Sequence, residues 1–186
     1  MHRLFPGQTA EEKIYIAVRE HWIMLALKLG IWGIFLIVLI AFYIIAPDSA
    51  PVIFTGKMAL VTELATQVYI MFLALSLFII IVLYYLNLHI ITNIRIVDID
   101  QEGLFHHVIS ELHIEKIEDV TSQTSGILSN VFGFGTVLIQ TAGTTERFEF
   151  QNVPNPDKLV KIILDLYELN DAKEIHPNKP LAKPAV

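Results

Sequence analysis

Val68-Tyr69-Ile70-Met71-Phe72-Leu73-Ala74-Leu75-Ser76-Leu77-Phe78-Ile79-Ile80-Ile81-Val82-Leu83-Tyr84-Tyr85-Leu86 is a run of nineteen residues in which Ser76 and three tyrosines carry the only polar side-chain atoms. Rising about 1.5 Å per residue as a helix, it just crosses a hydrocarbon core of roughly 30 Å. Leu, Ile, Phe and Val each gain roughly 0.3–0.6 kcal/mol near the centre of a spanning helix, so insertion of this run is favoured by on the order of 5 kcal/mol. A second apolar run of eighteen residues, 29–46, lies upstream. The pair predicts a two-helix membrane anchor over residues 29–86, with a connecting loop at 47–67.

The flanks of the runs fit this anchor. Trp22 and Lys28 precede the first run, and Tyr69, Tyr84 and Tyr85 sit at the ends of the second. Such side chains suit the headgroup layer, where aromatic rings lie and a lysine ammonium reaches water along its own stem. A cleaved signal peptide is not expected, because its apolar region is usually about 7–15 residues long and the first run is longer and begins about thirty residues in. Arg3, Lys13, Arg19 and Lys28 stand before the first run, against Lys57 alone in the connecting loop. The excess of positive charge places a juxtamembrane segment, 1–28, in the cytoplasm, and two spans return the C-terminal half to the same side.

That half is polar and acidic. The chain has 186 residues and a net charge of −6. Residues 1–86 carry five basic and five acidic side chains and residues 87–186 eight and fourteen, so all the net charge lies beyond the spans. Nucleic acid is therefore not an expected partner, since phosphate binding needs clustered lysines and arginines. No cysteine is present, which removes disulfides and thiolate metal sites.

From residue 88 the apolar period changes to two. Leu88, Ile90, Thr92, Ile94 and Ile96 share one phase and Val97 and Ile99 the other, which reads as one strand with a bulge. Gly103 completes a tight turn into a strand over 104–110, and Leu112, Ile114 and Val120 punctuate the next extended segment. Residues 136–141 form a further strand; a turn at Ala142-Gly143 leads to Arg147-Phe148-Glu149-Phe150-Gln151, where the phenylalanines point inward. Pro154 and Pro156 end the sheet and open a helix whose apolar face is Leu159, Ile162, Ile163, Leu166 and Leu169. Residues 171–186, with Pro177, Pro180 and Pro184 among lysines, read as a disordered tail.

Several segments together resemble one family. They are Arg19-Glu20-His21-Trp22, Thr92-Asn93-Ile94-Arg95, Leu112-His113-Ile114-Glu115-Lys116-Ile117-Glu118-Asp119-Val120, Phe132-Gly133-Phe134-Gly135-Thr136-Val137 and Phe150-Gln151-Asn152-Val153-Pro154-Asn155-Pro156. In this order, after two spans, they are similar to the bacterial pleckstrin-homology (YdbS-like) membrane-protein family. The resemblance implies a PH-like domain over 87–170, a bent antiparallel sheet sandwich of seven strands capped by a C-terminal helix. Five strands are legible from the residues; two come from the resemblance. The family brings no established catalytic activity.

Candidate sites are few. Gly133 and Gly135 lack the third glycine and the following helix of a dinucleotide loop, so both read as structural turns, as do Gly103 and Gly143. Phe132 and Phe134 are expected in the core. His106 and His107, adjacent on a strand, point to opposite faces and cannot join His113, Glu111 and Glu115 around one metal. No hydrolase or phosphate-loop pattern occurs, and neither a catalytic residue nor a cofactor is expected. The expected function is a membrane-anchored interaction or scaffold module at the inner face of the plasma membrane, binding a protein partner or its own copies. Sensing of a lipid headgroup is the alternative, disfavoured because Arg95, Lys116 and Arg147 are dispersed in an acidic domain.

Overall fold

The computed structural model describes residues 12–101, 103, 106–141 and 148–175. The chain forms two compact units, one of residues 22–84 and the other of residues 1–21 together with 85–186.

The helical unit is a hairpin. Helix α1 covers Trp22–Ser49, a 3-10 turn covers Pro51–Phe54, and helix α2 covers Gly56–Leu86. Both are long and apolar enough to cross a membrane, and none of the residues in their most apolar windows is buried, whereas a core helix of a soluble protein hides its apolar face. The connection is shorter than the expected loop at 47–67. Lys57, Leu60, Glu63, Leu64 and Ala65 are good helix formers, so the helix runs on after apolar composition ends. Polar side chains join the two helices: Trp32 Nε1–H donates to the Leu73 carbonyl at 2.9 Å, Tyr69 O–H to the Phe35 carbonyl at 3.0 Å and Tyr43 O–H to Thr66 Oγ1 at 2.8 Å.

The second unit is built on two antiparallel sheets. Strands β1 (Ile14–Val18), β2 (Leu88–Thr92), β3 (Arg95–Gln101) and β4 (His107–His113) form one in that order. Strands β5 (Ile117–Gln123), β6 (Phe134–Thr141) and β7 (Phe148–Pro154) form the other. Helix α4 (Pro156–Ile175) packs on β5 and β6, and a short helix α3 (Ile127–Phe132) joins them. The fold is PH-like, without a closed barrel.

Two strands were not separable in the sequence. Residues 14–18, inside the expected juxtamembrane segment 1–28, pair with β2 as Ile14↔Thr92, Ile16↔Ile91, Ala17↔Ile90 and Val18↔His89. The segment 88–99 is a hairpin and not one bulged strand. It turns at Asn93-Ile94 and pairs Ile91 with Ile96 and Ile90 with Val97. Thr92 Oγ1 accepts from the Ile94 and Arg95 amides at 3.2 and 3.0 Å, which closes the turn without a glycine. The helix α4 continues past Asn170 to Ile175, into the expected tail; residues 176–186 lie outside the described residues, as do Gly143 and Arg147.

The main core lies between the sheets and α4. Ile91, Ile96, Ile114, Val137, Ile139, Phe150 and Val153 are wholly enclosed, with Leu159, Ile163 and Leu166 of α4 closing the cluster. On the other face of the first sheet, Ile90 and Val97 form a second, smaller cluster with Ile14, Leu88 and Ile99. Strand β1 contributes to both, through Val18 and Ile16 on one side and Ile14 on the other.

Candidate functional site

Polar contacts surround the exit of the chain from β1. His21 follows β1 by three positions and immediately precedes α1. Its amide donates to the Asn152 carbonyl of β7 at 2.7 Å, and its ring stacks on Phe134 of β6, with centroids 5.3 Å apart. Asn152 Nδ2 donates to Glu20 Oε1 at 3.4 Å. Burial pushes the His21 imidazole below its ordinary pKa, because the protonated ring would lose hydration there. Arg19 places its guanidinium 5.6 Å from the centre of the Tyr85 ring.

Deeper in the same end, His89 of β2 faces Asp98 of β3 across the ladder, with Nδ1 and Oδ1 2.6 Å apart. Both are buried, and the His89 ring lies 4.4 Å from that of Phe150 in the opposite sheet. The pair is hydrogen-bonded through Nδ1 and Oδ1, and one face of the imidazole packs against phenylalanine. It fixes the spacing of the two sheets where β2 begins.

A third polar set ties the N-terminal segment to the hairpin. Glu12, its side chain 1 % exposed, receives Arg95 Nε on Oε1 and Nη2 on Oε2, both at 3.0 Å, and Thr92 Oγ1 at 2.9 Å. Arg95 Nη1 also donates to Glu111 of β4. The hydrogen bond to Glu12 is the main cause of a guanidinium pKa raised above its ordinary value, against an opposing effect of burial. The sequence could not show this set, since Glu12 and Arg95 are joined by no periodicity and stand on either side of both apolar runs.

Helix α3 is a small projecting loop between β5 and β6. Gly126 enters it at φ 102° and Gly133 leaves it in the left-handed region at φ 68°. Ser129 Oγ donates to the Ser125 carbonyl at 2.9 Å and Asn130 Nδ2 to the Gly126 carbonyl at 2.8 Å, while the Asn155 amide donates to the Gly133 carbonyl at 2.9 Å. At the base, β5 and β6 are so close that a Cβ on Gly135 would stand 2.6 Å from the Gln123 carbonyl oxygen. Phe134 is in the core as expected. Phe132 is not: it is 39 % exposed, because α3 turns it outward before Gly133 reverses the chain.

The remaining expected residues separate. Trp22 is the first residue of α1 and 57 % exposed, Lys28 is exposed on the second turn, and Tyr85 is exposed and Tyr84 half-buried near the end of α2. Tyr69 is not at a helix end. It lies thirteen residues, or about 20 Å, from the start of α2 and bonds α1, because the helix begins at Gly56. Gly103 has φ 84°. His106, His107 and His113 are exposed, and among the described residues no group of three His, Asp or Glu side chains is placed to hold a metal.

A family profile described as the bacterial PH domain matches residues 23–167. Among solved structures, the chain is similar to a DUF1696-family protein with a pleckstrin-homology domain from Shewanella loihica PV-4. The identity is 14 %, over 44 % of this chain and 70 % of that one, with a TM-score of 0.36. None of the curated proteins compared matches.

Proposed function

The chain belongs to the bacterial PH-domain family, and from this premise we propose that it is a non-enzymatic interaction module, anchored by two spans and displayed at the cytoplasmic face of the plasma membrane. There it binds protein partners or copies of itself. The observation that carries the anchoring is the pairing of β1 with β2. A sheet cannot be threaded through a bilayer in pieces, since every unpaired backbone group would be desolvated. Two strands that flank α1 and α2 yet lie side by side therefore require both helices to cross or neither. Apolar windows in which no residue is buried favour both. A cleaved leader would remove β1 from its sheet.

The charge distribution favours protein over anionic lipid as the ligand. The sheet unit carries the net charge of −6, because Lys28 and Lys57 are balanced by Asp48 and Glu63 in the helical unit. An anionic leaflet repels such a surface. Arg95, one of the cations that could have met a headgroup, is occupied by Glu12 and Glu111. Tethering to a plane raises local concentration, so that weak protein contacts become populated.

The test is crosslinking of the full chain in native membranes, with mass spectrometric identification of what is joined to exposed lysines such as Lys116. Recovery of one defined partner or a homo-oligomer is the expected outcome, and recovery of monomers alone would remove the interaction role. Protease access to the β4–β5 region in inside-out against right-side-out vesicles reads the orientation.

A further inference from the structure

We infer that α3 is an interfacial membrane foot: a short apolar helix that dips into the lipid headgroup boundary and holds its own end of the sheet unit at the bilayer surface. The inference rests on the membrane anchoring proposed above.

Four of the six residues of α3 are large and apolar, and all are turned to solvent: Ile127 is 83 % exposed, Leu128 48 %, Val131 71 % and Phe132 39 %. Among the described residues of the sheet unit, the other exposed large aliphatic side chains are scattered singly: Leu86, 47 % exposed at the end of α2, Leu164, 41 %, and Ile109, 38 %. A local concentration of this kind marks a surface that another phase covers.

Two observations identify that phase as lipid. The first is charge. No Asp, Glu, Lys or Arg occurs between Asp119 and Glu146, a neutral stretch in a unit that carries the whole net charge of −6. An acidic body approaches an anionic leaflet only through an uncharged face, because every carboxylate brought to the surface is repelled. The second is position. Phe134, two residues after Phe132, stacks on His21, and the Asn155 amide that holds Gly133 lies three positions from Asn152, whose carbonyl holds the His21 amide. The chain passes from His21 straight into α1. The apolar patch is thus built onto the corner of the sheet unit from which the chain leaves for the membrane. Its pinched base at Gly135 and the hydrogen bonds of Ser129 and Asn130 to the backbone four residues earlier hold the patch out from the sheet as a formed element.

Because the chain has no cysteine, single cysteines test this in the full protein. Val131→Cys and, separately, Ile127→Cys are labelled with an environment-sensitive fluorophore and reconstituted into phosphatidylethanolamine–phosphatidylglycerol vesicles containing nitroxide lipids. Glu118→Cys, exposed at the far end of β5, and Ile37→Cys, 64 % exposed in α1, serve as references. The foot predicts blue-shifted emission at 127 and 131, with quenching by shallow nitroxides severalfold stronger than at 118. Quenching at 37 without quenching at 127 and 131 overturns the foot and leaves the anchoring standing. A blue shift at 131 without lipid quenching means that protein covers the helix, and also overturns it. Absence of quenching at 37 as well overturns the anchoring and the foot together.

Discussion

Replacing Arg95 by methionine isolates the contact that holds the N-terminal segment to the rest of the sheet. Methionine keeps much of the aliphatic stem but removes the guanidinium from the Glu12 carboxylate, which is 1 % exposed at its side chain and keeps the Thr92 hydroxyl. Removing one partner of a buried ion pair costs about 3–5 kcal/mol. A ceiling follows from protonation, because neutralising an ordinary glutamate at pH 7 costs about 3.7 kcal/mol and relieves the buried charge. The expected loss at pH 7 is therefore about 3–4 kcal/mol. For a unit of this size that is a fall in Tm of roughly 12–24 °C. The ceiling drops by about 1.4 kcal/mol for each unit of pH, so the difference between variant and parent narrows as pH is lowered towards 5. Glu12→Gln with Arg95→Met recovers part of the loss, since an amide needs no counter-charge. The measurement is urea titration of the detergent-solubilised protein read by pulse proteolysis at pH 5, 6 and 7. A loss below about 1 kcal/mol that does not vary with pH would mean that Glu12 is not held in the sheet, and the clamp across the two-helix insertion would have to be abandoned.

Three further outcomes are expected. Gly135→Ala drives a Cβ to 2.6 Å from the Gln123 carbonyl oxygen, and the same titration should register a loss of about 1–3 kcal/mol; Gly30→Ala, with open space around it, should be neutral or stabilising by up to about 1 kcal/mol. Phe150→Ala empties a fully enclosed ring site against His89 and should cost about 3–5 kcal/mol, unless the two sheets collapse onto the gap. For His21, burial lowers the folded-state pKa, so its neutral form is the one that fits. The associated stability is present above the unfolded value of about 6.5 and is lost as pH falls from there through the lowered folded value. A Tm profile from pH 8 to 5 should fall less steeply for His21→Phe, which keeps the stacking on Phe134 without a titrating ring; an unchanged profile would remove His21 as its source.

What could be read from the residues followed local periodicity. The two apolar runs, the alternation of Phe148 and Phe150 and the helical stripe Leu159–Ile163–Leu166 each declare themselves within a dozen positions, and each is where expected. Strand β1 is only five residues long, and its partner β2 lies more than seventy positions away, beyond both helices. Nothing local distinguishes such a segment from a juxtamembrane linker. The 93–94 turn hid for a different reason: it is closed by the Thr92 hydroxyl rather than by a glycine, so the phase change at Ile96–Val97 resembled a bulge. Helix α3 spans under two turns, too short for a 3.6-residue period to emerge, and of the two glycines that frame it only Gly133 was legible, as a turn. The limits of α1 and α2 were missed because hydropathy marks where lipid could be, whereas helix propensity decides where the backbone stops.

The insertion of both helices between β1 and β2 also sets an order of assembly. A ribosome adding about 5–20 residues per second finishes Val18 roughly 4–14 s before Leu88. For that interval β1 has no neighbour to bond, and its apolar Ile14, Ile16 and Val18 wait unpaired while the two helices are made. With both helices spanning, as proposed, folding of the sheet becomes conditional on successful insertion: a chain whose second helix failed to return would leave β1 across the bilayer from its partner β2, exposed to whatever protease patrols that face.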